Sequence, residues 1–238
     1  MGSKMITYKE IKEATMWIND IDVSTFGVLV ENFKVSGTPI TNEVFQGRDR
    51  TNYNVIATEF SRKTVSFSLF FAEETRHAIT QLKSKIDGMM YGKVELFMPD
   101  GFYYTAVAKS LGELSIIGQE RNKVIATCAY TFEGMQHDSL QTEIGNTLVC
   151  TSTIPLTDCR LTCTASRAYA SITIEGVTIT NVKAGDVLTI DGINGRILQN
   201  GAPCAGNMSF INLPRLNVGL NTLSCPETLT VEYYPTYI

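Results

Sequence analysis

The sequence has little of what most catalytic sites need. Its 238 residues include only two histidines, His77 and His137, and one tryptophan, Trp17. No G-x-S-x-G, G-x-G-x-x-G or H-E-x-x-H pattern occurs, so a nucleophile elbow, a dinucleotide loop and a zinc-protease helix are all missing. A Ser-His-Asp or Cys-His site would have to use a histidine that we expect to be solvated. We therefore predict no catalytic, cofactor-binding or metal-binding residues.

Concentrated positive charge and long apolar runs are also missing. Twenty Lys and Arg face 24 Asp and Glu, which gives a net charge of −4, and no basic cluster could neutralise the phosphates of a bound nucleic acid. No stretch approaches the roughly 18 consecutive apolar residues of a membrane-spanning helix. The first ten residues lack the apolar core of a secretory signal. We expect a chain that is cytoplasmic when synthesised, with no membrane insertion.

Cysteine is too scarce for a disulfide framework. Six cysteines in 238 residues, in a chain expected to be made in a reducing compartment, indicate small core residues. Two alternatives stay open, a zinc site without the usual paired C-x-x-C knuckles and a disulfide formed after release from the cell. The residues concerned are Cys128, Cys150, Cys159, Cys163, Cys204 and Cys225.

The distribution of charged residues divides the chain into two parts. The sequence through Glu143 carries 15 Lys and Arg and 18 Asp and Glu, whereas the remainder carries 5 and 6. The remainder is instead rich in Thr, Asn, Gly and Ile, and it holds five of the six cysteines. A polar segment without periodicity within 134–146 is typical of a linker. We predict domains at residues 1–138 and 139–238.

The first part alternates as half-buried strands do. Apolar residues recur every second position in 26–30, in 65–71 and in 124–132. Val94 to Met98 and Phe102 to Ala108 flank Pro99-Asp100-Gly101, which predicts a hairpin. One helix is predicted from Glu73 to Asp87, where Ile79, Leu82 and Ile86 recur at helical spacing.

The second part is predicted to be entirely β. Ile172 and Ile174, the segment 187–190, and the segment 229–233 alternate with polar residues. Asp191-Gly192, Asn194-Gly195 and Asn200-Gly201 are closely spaced turn pairs. This spacing indicates a small sandwich.

Several weaker patterns favour structural interpretations. Gly88 to Val94 resembles a phosphate loop but is one residue short and follows a helix, so a helix end and a turn explain it better. Asp191 to Gly195 lacks the alternating carboxylates of a calcium loop, which favours a tight turn. Tyr233, Tyr234 and Tyr237 could stack on sugars, but use in the strand core is the stronger expectation.

Taken in order, these segments resemble the distal tail protein family of long-tailed, siphovirus-type bacteriophages and prophages. The resemblance covers nearly the whole chain and depends on the combination and order of short phrases. Those of the first part are 19–28, Gly47-Arg48-Asp49, 64–71 and 101–106, and those of the second are 189–201, 213–223 and 230–237.

The resemblance implies a mainly β protein with a β-rich, ring-forming N-terminal domain containing one helix and a C-terminal galectin-like β-sandwich. It further implies a virion structural protein without enzymatic activity. This protein would form the hub of a tail-tip baseplate, a hexameric ring that joins the tail tube protein to the tip protein and the receptor-binding protein. DNA would only pass through the lumen, for which a net charge of −4 is suitable.

Two other functions remain as alternatives. The C-terminal sandwich could bind carbohydrate as a module of a phage adhesion device, although fold alone does not imply sugar binding. Scattered carboxylates also permit a tail-associated cell-wall hydrolase, because glycosidase chemistry needs only two acids at a suitable separation.

Overall fold

A computed structural model describes residues 15–46, 48, 54–204 and 206–238. The features of the first ten residues, and Gly47 and Asp49 of the Gly-Arg-Asp phrase, lie outside the described residues. The chain divides into two compact units, residues 1–137 with Ile238 and residues 138–237. It is mainly β with one α-helix among the described residues, which confirms the predicted fold class. In the described part of the chain, no helix is long and apolar enough to cross a membrane.

The described strands of the first unit are antiparallel. They are β1 (Trp17–Ile18), β2 (Ile21–Asp22), β3 (Leu29–Val35), β4 (Ile40–Phe45), β5 (Asn54–Phe60), β6 (Lys63–Glu73), β7 (Lys93–Phe97), β8 (Tyr103–Ser110), β9 (Leu114–Glu120) and β10 (Lys123–His137). The main sheet has the order β2-β1-β7-β8-β10-β6-β3, and β9 also pairs with β10. Strands β4 and β5 form a separate two-stranded sheet.

The apolar residues at the predicted alternate positions form the core against this sheet. Every second residue of β6, from Val65 to Phe71, is buried, and the serines between them are half-buried. The ring of Phe67 stacks on Tyr130 and Phe132 of β10, with centroid distances of 5.4 and 5.7 Å. These aromatic rings form the centre of one apolar cluster. The β7–β8 hairpin is also confirmed, with Gly101 at φ +85° in its turn.

The single helix, α1 (Arg76–Met89), packs on β6 and β10. It begins three residues later than predicted because Glu73 ends β6 and the Thr75 hydroxyl caps the helix by accepting from the Ala78 N–H at 3.1 Å. Ile79 and Ile86 are buried, as the helical spacing predicts. The predicted helix is therefore confirmed, but it starts at Arg76 and not at Glu73.

Two sequence predictions in this unit are wrong in detail. Phe26 does not belong to a strand, because Val23–Phe26 forms a 3-10 helix capped by the Asp22 carboxylate before β3 begins. The polar segment around residue 135 is not a free linker, because β10 continues to His137 and Gln141–Ile144 forms the next strand. Gly134 is the last buried residue of the alternation and has no side chain to mark it, and beyond it Gln136 is only half-buried while His137 is buried instead.

Strands are the only regular secondary structure among the described residues of the second unit. They are β11 (Gln141–Ile144), β12 (Thr147–Cys150), β13 (Leu156–Thr164), β14 (Tyr169–Ile174), β15 (Val177–Val182), β16 (Val187–Asp191), β17 (Arg196–Gln199), β18 (Ala202–Pro203), β19 (Met208–Ser209), β20 (Arg215–Asn217), β21 (Gly219–Thr222), β22 (Thr230–Tyr233) and β23 (Thr236–Tyr237). One sheet has the order β11-β22-β13-β16-β17-β18, with β20 paired to β13. Two smaller sheets are β12-β21 and β14-β15-β19.

One core joins these sheets. Ile172 and Ile174 of β14 lie in the same apolar cluster as Leu188 and Ile190 of β16, as the alternation predicts. Asn200 and Gly201, with φ of +53° and +78°, form the tight connection from β17 to β18.

Candidate assembly surfaces

The two histidines occupy different environments. His77 is exposed on α1, as expected. His137 was expected to be solvated in a linker, and this is wrong: it is the last residue of β10 and is only 4% exposed. Its ring stacks on Tyr103, and its Nε2 lies 2.9 Å from the Thr105 hydroxyl. His137 is therefore a hydrogen-bonded core residue.

The cysteines are core residues, as predicted. All six are free, five are buried, and Cys225 is partly exposed. Among the described residues, no group of three or more His, Cys, Asp or Glu side chains could hold a metal ion. The phosphate-loop-like segment from Gly88 to Val94 spans the C-terminal end of α1 and the start of β7, so it presents no helix N-terminus.

Asp191 organises a tight turn, in agreement with the sequence prediction. The side chain is almost entirely buried, and its carboxylate accepts from the backbone N–H of Asn194 at 3.0 Å and from the Asn194 amide at 2.8 Å. A guanidinium nitrogen of Arg160 and one of Arg196 each lie 3.4 Å from the Asp191 carboxylate. Burial raises the pKa of Asp191, but these hydrogen bonds and charges outweigh it, so the pKa is lowered overall.

We expect the second unit to lose stability as the pH falls below about 4. Because the pKa of Asp191 is lower in the folded chain, ionised Asp191 stabilises the fold above the unfolded value, and protonation removes that contribution. Asp191→Asn should lower the free energy of unfolding by about 1–3 kcal/mol near neutral pH, with a smaller difference near pH 3. Urea denaturation followed by far-UV circular dichroism measures this.

The control is the exposed ion pair in the same unit. Asp158 accepts from Arg215 at 2.9 Å, but both side chains are 56% exposed, so Asp158→Asn should change the free energy of unfolding by under about 1 kcal/mol. Equal losses for the two variants would contradict the role assigned to Asp191.

Of the three tyrosines considered for sugar stacking, one lies in the core and two are partly exposed. Tyr233 is buried, and its hydroxyl donates to the Val149 carbonyl at 3.3 Å, so it serves the core. Tyr234 and Tyr237 are partly exposed. A cleft of about 570 Å³ lies elsewhere in the second unit, and its lining includes Phe210, Ile211, Asn212, Asp158 and Arg215.

The most exposed apolar strands belong to the β4–β5 hairpin, which we call the arm (Ile40–Phe45 and Asn54–Phe60). Every residue of β4 is exposed, and so are five of the seven in β5. An isolated two-stranded sheet is marginally stable in water, so an apolar arm needs cover from another surface.

The pairing register gives the arm one face that is mainly apolar, which we call its apolar face. Ile40 pairs with Phe60 and Val44 pairs with Val55, and both pairs project on the same side because side chains alternate along β4. Between them, the Thr58 hydroxyl donates to Asn42 at 2.8 Å. Ile40, Val44 and Val55 are 55%, 51% and 52% exposed.

The opposite face of the arm is more polar. Thr41 pairs with Glu59 and Glu43 pairs with Ala57 on this side, and Phe45, which pairs with Asn54, is the one large apolar side chain that β4 places here. The two carboxylates indicate that this side faces water, and the apolar face is the candidate contact surface.

The main sheet of the first unit also offers edge strands in its described residues, of which β9 and β3 are the longest. Strand β9 pairs with β10 on one side, and no strand in the described part of the chain pairs with its other side. Strand β3 forms the edge beyond β6, on the opposite side of β10. Ile116 and Ile117 of β9 are exposed, whereas a bulge between Glu31 and Lys34 interrupts β3.

Sequence reasoning missed the arm. The available signal was the β-branched content of Ile40-Thr41, Val44, Val55-Ile56 and Thr58, which is typical of strands. Apolar residues occur on both faces of the arm, so the strict alternation that identifies half-buried strands is absent.

Comparisons with known proteins identify a fold but no sequence family. No protein-family model and no curated protein matches the chain. The crystal structure of the Dit protein of phage SPP1, described as a paradigm of the hub adsorption apparatus in phages that infect Gram-positive bacteria, matches with a TM-score of 0.71 at 10% identity. That match covers 94% of this chain and 99% of the Dit chain.

A second match is to a structure of the phage P2 baseplate in its activated conformation with Ca. Its TM-score is 0.54 at 9% identity, over 93% of this chain and 97% of the matched chain. The chain is therefore similar in fold to phage hub and baseplate proteins.

Proposed function

We propose that this chain is a structural, non-enzymatic hub of a phage or prophage tail tip. In this role it assembles into a hexameric ring that joins the tail tube protein to the tip protein and the receptor-binding components. The observation that carries the proposal is the fold match to the SPP1 Dit protein over nearly the full length of both chains. The ordered phrases of the sequence support the same function independently.

The exposed surfaces of the first unit support assembly as the means of action. The apolar face of the arm exposes aliphatic side chains that a neighbouring subunit could cover. The β9 and β3 edges lie on opposite sides of β10, so a head-to-tail contact between copies could use both edges of each subunit. A contact of this kind forms a closed ring when the rotation that relates neighbouring subunits divides a full turn into equal steps.

The charge of the chain supports a channel that DNA crosses without being held. A net charge of −4 per subunit gives a ring no overall attraction for phosphate. Concentrated Lys and Arg contacts would instead slow a passing duplex by binding it.

The proposal predicts a ring of defined mass. Light scattering coupled to size-exclusion chromatography should give six times the chain mass of 26.3 kDa, and negative-stain microscopy should show a six-fold ring. A particle that stays strictly monomeric at high concentration would contradict the proposal.

A carbohydrate-binding role for the second unit is a second candidate because of its cleft. Phe210 supplies a ring for stacking, and Asn212, Asp158 and Arg215 supply hydrogen-bonding groups of the kind that orient a sugar. A glycan array with the full chain, compared with Phe210→Ala, tests this role, and equal signals from both proteins would count against it. The cell-wall hydrolase remains a hypothesis that release of peptidoglycan fragments would support.

A further inference from the structure

One wall of the cleft in the second unit is the outward face of the β13–β20 strand pair. Leu156 and Asp158 project from β13 on either side of the buried Thr157, and Arg215 projects from β20. Asp158 and Arg215 are opposite each other in the pairing register and form an exposed ion pair at 2.9 Å. This wall therefore presents an aliphatic side chain and one charge of each sign.

The segment 210–213 forms another wall of the cleft. It connects β19, which pairs with β15, to β20, which pairs with β13, so backbone pairing fixes both of its ends. Leu213 of this segment also packs against the core of the unit. Because both walls are anchored, the cleft is preformed, and an occupant has little chain to order on binding.

The rim of the cleft carries an isoleucine that its own chain hardly covers. Ile211 is 92% exposed although it lines the cleft, and Phe210 and Leu156 are about half-exposed. Burying an exposed isoleucine against another surface is favourable through the hydrophobic effect. The same patch thus combines a projecting aliphatic side chain with a cleft of about 570 Å³ that has room for one.

A patch with these features is complementary to itself. In a two-fold contact, the projecting residue of each copy faces the cleft of the other, and every interaction occurs twice. The charges follow the same symmetry, since Asp158 of one copy can face Arg215 of the other. Exchanging this ion pair between copies costs little, because an exposed pair contributes little to the stability of a single chain.

The charge of the second unit is also suitable for a contact between copies. Residues 144–238 carry 5 Lys and Arg against 6 Asp and Glu, so two units approach each other with little net repulsion. A sugar fits the rim less well, because a branched aliphatic side chain such as Ile211 has no flat face on which a sugar ring could stack.

We propose that the cleft receives Ile211 of a second copy of the chain, in a two-fold contact between second units. The Asp158 and Arg215 side chains pair across this contact. The patch is small, so the contact is weaker than an obligate interface and forms at high concentration. It does not depend on the proposed hub function, since it can join single chains as well as rings.

Sedimentation equilibrium of the full chain over a range of concentrations tests the contact. The weight-average mass should rise with concentration toward twice the mass of the particle present in dilute solution. The dilute particle, a ring or a single chain, reports on the hub function, whereas the rise reports on the two-fold contact, so the two proposals can fail separately. A mass that stays constant up to about 1 mM chain would overturn the contact.

Ile211→Asp should abolish the rise in mass. Because a two-fold contact contains the residue twice, this variant places two carboxylates in apolar surroundings and weakens association at least about a hundredfold. Ile144→Asp is the matched control, since Ile144 is an exposed isoleucine of β11 that does not line the cleft. It should associate as the parent chain does, and equal association of the two variants would overturn the proposal.

Exchanging the two charges distinguishes a second copy from other occupants. Asp158→Arg alone leaves only positive charge at the contact and should weaken association at least about tenfold. Combining it with Arg215→Asp should restore association, because the exchanged pair is again complementary across the two-fold axis. A lasting loss in the double variant would assign the cleft to a sugar or to a different protein. The concentration series on the unchanged chain decides even if a variant does not fold.

Discussion

Replacing Val44 with lysine should leave the chain folded and prevent ring assembly. Val44 is half-exposed on the apolar face of the arm, where it pairs with Val55. If a neighbouring subunit covers this face, the variant buries an ammonium group without a partner, at a cost of about 3–5 kcal/mol per contact. That cost weakens each contact more than a hundredfold. Light scattering should then report the single-chain mass, with an unchanged far-UV spectrum.

Thr41→Lys is the matched control for this variant. Thr41 lies on the same strand but projects on the more polar face of the arm, where it pairs with Glu59. The introduced charge stays in water beside a carboxylate, so the ring should form as in the parent protein. If Val44→Lys assembles as well as Thr41→Lys, the apolar face of the arm is not an assembly contact.

Replacing Phe67 with alanine should be the most destabilising single change in the first unit. The Phe67 ring is buried between Tyr130 and Phe132, on which it stacks at 5.4 and 5.7 Å. Truncation removes these contacts and leaves a cavity, which lowers the free energy of unfolding by about 3–5 kcal/mol. Urea denaturation followed by tryptophan fluorescence measures this loss, because the single tryptophan, Trp17, belongs to the first unit.

Two further variants bracket the effect of Phe67→Ala. Phe67→Leu retains most of the buried apolar volume and should cost less than about 2 kcal/mol. Ile117→Ala truncates an exposed residue of the same unit and should change the free energy of unfolding by no more than about 0.5 kcal/mol. A loss for Phe67→Ala no larger than that for Ile117→Ala would show that the aromatic stack does not stabilise this unit.

The parts of the fold that the sequence predicts well are those in which one face is buried. In β6, burial of Val65, Phe67, Leu69 and Phe71 requires apolar residues at every second position, and this pattern is visible without a structure. The same reasoning found α1 from Ile79 and Ile86. The start of the helix was misplaced because the carboxylates of Glu73 and Glu74 favour a first helical turn, whereas pairing with β10 keeps Glu73 in β6.

The features that sequence reasoning missed depend on neighbours that are distant along the chain. His137 is buried because its ring stacks on Tyr103 and contacts Thr105 of another strand. The arm was missed because its strands are mostly exposed on both faces, so no periodic burial marked them. The sequence also left open whether any cysteines pair, because chain spacing does not show which sulfurs meet.

The amino-acid sequence by itself determined the mainly β class, the one helix and the absence of common catalytic motifs, since local periodicity and residue type are sufficient for these. Only the tertiary structure decided that Ile40, Val44 and Val55 share an exposed apolar face and that the His137 ring is buried against Tyr103 and Thr105. The physical reason is that strand register and loop closure bring distant residues together. Their pairing reflects the packing of the whole unit, which no short stretch of sequence contains.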